Sequence, residues 1–152
     1  MSEPYVADTK RLTLAGARKM VEAAAAGARR AGIAVSIAVV DAGGHVIALE
    51  RMDGGRFHTV HSATTKAVSA ASNRRATGAR GAQGQPLDTE HLVGLTLAAG
   101  AERWTAMEGG CPVIVGGECI GGVGVAGGDW KTDEAIAQEA VAAIGATWRH
   151  AG

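Results

Sequence analysis

Apolar residues recur at Leu14, Ala17, Val21, Ala24 and Ala28, the spacing of a single helix face, with Thr13 as an N-cap before them and Gly32 as a stop after them. The pattern then changes period. Ile33 to Val40 is continuously apolar and β-branched, Asp41-Ala42-Gly43-Gly44-His45 interrupts it, and Val46 to Arg51 resumes, which predicts two strands joined as a hairpin. Met52-Asp53-Gly54-Gly55 breaks the second strand, and helical spacing returns from about His58 to Thr77, where Gly78 ends it. Residues 78–87 hold no period and form a glycine-rich loop, the natural lid over a site. Asp88 caps a short helix running to about Ala99, and Cys111 to Val115 and Cys119 to Val125 flank Gly116-Gly117-Glu118 as a second hairpin. Thr132 caps a last helix whose inward stripe is Ile136, Ala140, Ala143, Ile144 and Trp148. Residues 1–12 show no period and read as a loosely docked segment. Two hairpins separated by helices call for antiparallel pairing, because parallel neighbours need a crossover. The expectation is one α+β domain over residues 1–152, with helices packed on an antiparallel sheet.

Composition constrains the core. Thirty-two alanines and 23 glycines fill over a third of the chain, while aromatic residues are 3%. Small side chains let elements approach closely but bury little area each, at roughly 25 cal/mol per Å², so self-association is expected to supplement a thin core. Fifteen basic residues balance 15 acidic ones. That neutrality removes the field that nucleic acid or an anionic membrane surface requires. No apolar run is long enough to span a bilayer. The N-terminal stretch, with Glu3 and Asp8, lacks the apolar segment of a signal peptide, so a cytoplasmic location is expected. Cys111 and Cys119 fall out of register on adjacent strands, roughly 13 Å apart at about 3.3 Å per residue, and are expected to be free thiols.

Few segments carry chemistry. Gly122-Val123-Gly124-Val125-Ala126-Gly127 fits G-x-G-x-x-G, yet the following helix starts too late and too little chain remains for a nucleotide-binding βαβ unit. Those glycines are better read as letting another backbone or a flat ligand come close. His58-x-x-His61 opens the second helix and could chelate a metal, though zinc wants three or four ligands and none is nearby in sequence. On a helical wheel Val60, Ala63, Thr64, Ala67 and Ala71 gather on one side, while His58, His61, Ser62, Thr65, Ser69 and Ser72 gather opposite. That second face is polar but uncharged, as suits a ligand, an interface or plain exposure. Arg51, Asp53 and Lys66 complete the strand-to-helix junction, where Arg51 and Lys66 could hold a carboxylate or pair with Asp53.

Val39-Val40-Asp41-Ala42-Gly43-Gly44-His45, Arg51-Met52-Asp53-Gly54, Lys66-Ala67, Gly109-Gly110-Cys111-Pro112-Val113-Ile114, Gly121 to Gly127 and Asp133-Glu134 together resemble the GlcG/HbpS family of haem-binding proteins, which includes the C-terminal domain of PduO-type adenosyltransferases. The resemblance covers nearly the whole chain. It implies a profilin-like fold with a five-stranded antiparallel sheet, assembly into dimers and larger rings, and a haem or related tetrapyrrole ligand. On that reading His58 or His61 is the candidate axial ligand, and Arg51 or Lys66 pairs with propionates. The chain departs from the family pattern at Phe57-His58-Thr59-Val60-His61, where Ser, Ala and acids are usual, and at Ala126 in place of Ser. Two other readings stay open. One is a small isomerase, tautomerase or lyase on an oxo-acid, with His58 or His61 as general base and Arg51 and Lys66 stabilising an enolate. The other is an accessory oligomeric subunit.

Overall fold

The structure, a computed structural model, describes residues 3–150. Its elements in order are α1 (Leu14–Ala31), β1 (Ser36–Asp41), β2 (Val46–Arg51), α2 (His58–Asn73), α3 (Thr89–Ala99), β3 (Gly110–Val115), β4 (Glu118–Ala126) and α4 (Trp130–Ala143). The strands form one sheet in the order β2-β1-β4-β3, every neighbour antiparallel.

Alternation along the strands decides what packs on each face. Ile37 and Val39 of β1, Cys111 and Val113 of β3, and Val123 and Val125 of β4 point one way, into a core shared with Ala17, Met20, Val21, Ala24 and Ala28 of α1 and Ile136, Ala137, Ala140 and Val141 of α4. The intervening positions point the other way: Ala38, Val40 and Ala126 meet Ala63, Ala67 and Ala71 of α2. The helix comes so close that several strand positions admit no side chain. A Cβ on Gly124 would lie 1.9 Å from the Ala63 carbonyl oxygen, one on Gly122 2.3 Å from that of Ala67, and one on Gly110 2.4 Å from that of Lys66. Gly122 and Gly124 of the G-x-G-x-x-G stretch, with Gly110, are thus the seat of α2.

Local signals fix the element ends. Thr13 accepts a hydrogen bond from the Gly16 amide, and Gly32 closes α1 at φ 72°. Asp88 caps α3 through the His91 amide. Elsewhere the boundaries expected from sequence shift. β1 starts at Ser36, because the Ile33 amide is used to close α1, bonding to the Ala28 carbonyl. α2 stops at Asn73, and Thr77 instead exchanges bonds with Gly110 of β3, its hydroxyl accepting from the Gly110 amide at 2.9 Å. Asp129, not Thr132, caps α4. That helix ends at Ala143 and the chain turns at Gly145, so Trp148 lies beyond it. Leu14 points outward, and Met20 takes its place in the α1 core stripe.

Among the described residues the sheet has four strands, not five. The segment after α4 reaches the free edge of β3 but makes only one bridge pair, Thr147 with Ile114, their amides and carbonyls bonding reciprocally at 2.8 and 3.0 Å. The N-terminal segment is better anchored than its sequence suggests, with Leu12 in the core and Thr9 and Lys10 on the Glu118 carboxylate. The loop expected to act as a lid folds on itself: Arg80 bridges Pro86, and the Gly81 amide bonds the Gln85 carbonyl. Among the described residues no helix is long and apolar enough to cross a membrane.

Gly124→Ala is expected to lower stability by about 2–3 kcal/mol in urea unfolding through overpacking against α2. Gly94→Ala, in open space on α3, serves as the control and stays near parent or gains slightly. Equal stability of Gly124→Ala and parent would contradict the close seat.

Candidate functional site

α2 begins without a side-chain cap: Phe57 stands at the N-cap position and makes no such bond. Phe57 is 80% exposed. Its ring meets that of His58 edge-on, with centroids 6.3 Å apart at 84°. His58 and His61 are both exposed, and at i, i+3 they share one side of the helix. An aromatic ring and two imidazoles therefore form an outward-facing cluster on the first turn. Neither histidine borders the grooves between α1 and α4, along α3, or between the end of α2 and α4. Among the described residues no group of three His, Cys, Asp or Glu side chains converges on a metal-sized point.

Arg51 ends β2 on the loop leading to this cluster. It is exposed, and its stem lies over Gly55, whose added Cβ would be 3.0 Å from Arg51 Cγ. Lys66 goes elsewhere. Two turns further along α2, about 12 Å at 1.5 Å per residue, it turns inward and is buried. Its Nζ donates to the Val125 carbonyl at 2.9 Å and to Asp133 Oδ2 at 3.4 Å. Asp133 Oδ1 in turn accepts from the Gly128 amide at 2.8 Å. The pair anticipated between Asp53 and Arg51 or Lys66 is replaced by this one, which joins α2 to α4 across the end of β4. Burial lowers the Lys66 amine below its ordinary range, while the charges of Asp133 and Glu108 oppose that shift.

Room for the pair comes from Gly109, at φ 117°, where a Cβ would stand 2.9 Å from Lys66 Nζ and 2.6 Å from the Val125 carbonyl. Lys66, Gly109-Gly110, the end of β4 and Asp133, far apart in sequence, thus converge on one buried clip. In sequence Asp133 stands out only within the family motif Asp133-Glu134, and its partner lies 67 positions away. The wheel reading of α2 also changes. Thr65 and Ser69 face inward, and the Ser69 hydroxyl and the Thr105 backbone bond at 3.2 and 3.4 Å, whereas His58, His61 and Ser72 stay outside.

Both cysteines are free thiols. Cys119 lies opposite Ile114 and Cys111 opposite Val123, the offset anticipated. Burial pushes the Cys111 thiol up to about 12, and Cys119 is raised by the same cause.

Comparison with known proteins adds the following. The family described as haem-degrading, HbpS-like, matches residues 12–142. The protein GlcG of Escherichia coli strain K12 is 42% identical over 93 residues, which span 60% of this chain and 63% of GlcG. The crystal structure of the Klebsiella pneumoniae protein ORFY superposes with a TM-score of 0.83 at 31% identity, over 95% of this chain and 98% of that one. A PduOC structure solved as a haem complex superposes with a TM-score of 0.74 over 93% of this chain and all of that one. At 24% identity this likeness speaks for the fold.

Lys66→Met strands the Asp133 carboxylate without its counter-charge and is expected to cost about 3 kcal/mol or more in urea unfolding. Lys66→Met combined with Asp133→Asn should recover much of that loss. A single variant as stable as parent would contradict the clip. With its thiol raised to about 12, Cys111 should react with iodoacetamide only on unfolding. Rapid alkylation of the native protein at Cys111, located by mass spectrometry, would count against its burial.

Proposed function

The chain belongs to the HbpS-like family, and on that premise we propose that it binds haem or a closely related tetrapyrrole through the Phe57, His58 and His61 cluster. The observation that carries the proposal is the exposed aromatic and imidazole face at the start of α2. One imidazole suffices as an axial ligand to haem iron. Phe57 offers an apolar wall against which a flat macrocycle gains area. Arg51, exposed on the adjoining loop, is free to meet a propionate. Lys66, the other propionate candidate, is occupied by Asp133. The PduOC domain, whose fold this chain shares, was solved with haem, which supports a tetrapyrrole over other flat ligands.

A single copy gives this cluster one wall. A homo-oligomer would supply the second, and α3 favours such an assembly: no residue of it is buried, while Val93, Leu95 and Leu97 are exposed. The catalytic reading, with His58 or His61 as general base, loses one of its two anion stabilisers because Lys66 points inward, which favours binding over enolate chemistry.

A visible-absorption titration with haem tests the proposal on the parent and on His58→Ala and His61→Ala. The expected result is a saturable, stoichiometric Soret shift that one of the two substitutions abolishes. A weak, non-saturating change that both variants share with the parent would refute it.

A further inference from the structure

A cavity of about 810 Å³ opens at the far end of α2, walled by the residues that follow that helix, by α4 and by the C-terminal segment. Its lining is cationic. Arg74, Arg75, Arg80 and Arg149 face two glutamates, Glu108 and Glu134, with Trp148 beside them. None of the four guanidinium groups takes part in an ion pair among the described residues, where Lys10 pairs with Glu118, Arg30 with Glu139 and Lys66 with Asp133. Two of them are nevertheless held in place by their own loop. Arg75 Nε donates to the Ala82 carbonyl at 2.7 Å, and Arg80 Nη1 to the Gly84 carbonyl at 2.8 Å. Their remaining N–H groups stay available.

Two further features meet at the same cavity. Arg74 has φ 56° and ψ 30°, and among the described residues no other non-glycine residue has positive φ. Glycine adopts that backbone at a helix end without strain, so an arginine there sacrifices local stability to put a guanidinium at this wall, a pattern typical of functional positions. Trp148 Nε1 is a buried donor, and among the described residues it alone of the buried side-chain nitrogens and oxygens finds no partner. Trp148 is among the residues that line the cavity, while its Nε1 is itself closed to solvent.

From the unpaired guanidinium groups and the Arg74 backbone we infer that the cavity is a binding site for a small oxyanion-bearing molecule, a carboxylate or phosphate ester, held by Arg74, Arg80 and Arg149. Guanidinium groups bind carboxylate and phosphate in a bidentate fork, and the indole ring offers a flat face to the body of the ligand. Glu108 and Glu134 limit the charge the site accepts and leave room for a hydroxyl or amine on the same molecule. This inference stands on residues other than those of the haem proposal, and either can fail alone.

Isothermal titration calorimetry with inorganic phosphate and, separately, with citrate tests it on the full chain. The variants are Arg149→Ala, Arg80→Ala and Arg74→Gly, the last suiting the positive φ of that position, each first checked for native circular dichroism, with Arg30→Ala as a distant control. Saturable binding of at least one anion is expected. Each of the three cavity variants should weaken it by about tenfold or more, while Arg30→Ala leaves it unchanged. Phosphate alone, citrate alone or both would assign the ligand as phosphoryl, carboxylate or either. No saturable heat with either anion would overturn the inference, and so would binding that all three cavity variants retain.

Discussion

A helix can lie on a sheet at backbone distance only where the strands carry no Cβ, and the rest of this structure depends on that condition being met beneath α2. Gly110, Gly122 and Gly124 are spaced so that each faces a carbonyl oxygen of the helix at a separation no side chain survives. The two sheet faces become unequal as a result. One carries valines and isoleucines against α1 and α4, and the other meets α2 mainly through alanines and glycines, with Val40 the one larger strand residue of that cluster. Because α2 sits so deep, Lys66 needs only its own length to reach the Val125 carbonyl and Asp133. A buried pair of this kind adds less net stability than its Coulomb attraction suggests. Its value lies in fixing how α2 and α4 sit relative to the sheet.

The parts of the fold that depend on neighbouring residues were readable in advance. Thr13, Gly32 and Asp88 do at the helix ends what their types favour, and the two hairpins appear where apolar runs flank glycine turns. What failed depends on contacts distant in sequence. Thr65 and Ser69 look like a solvent face on a helical wheel. Both are buried, and the Ser69 hydroxyl finds its partner in the Thr105 backbone. Trp148 seemed to extend the last helix, but Gly145 lets the chain turn back along β3. That segment adds one bridge pair to β3, and the fifth strand implied by resemblance is not formed among the described residues.

The candidate site was legible in half. His58, His61 and Arg51 stand where sequence spacing put them, on one exposed junction. Lys66 could not be placed without knowing that Gly109 opens a passage for its amine. The cavity at the other end of α2 left almost no signal in sequence: Arg74, Arg80 and Arg149 are scattered, and one of them is unusual only in its backbone angle. The deep seat thus gives α2 two ends of different character. Its start presents imidazoles and an aromatic ring, suited to a metal-bearing macrocycle. Its end presents guanidinium groups, suited to an anion.

A crystal structure of the haem-loaded protein tests whether the two ends of α2 hold separate chemistries. The macrocycle is expected against Phe57 with iron on His58 or His61, and the cavity around Arg74 and Trp148 free of it. A macrocycle seated among those arginines, with iron on another residue such as His150, would contradict it.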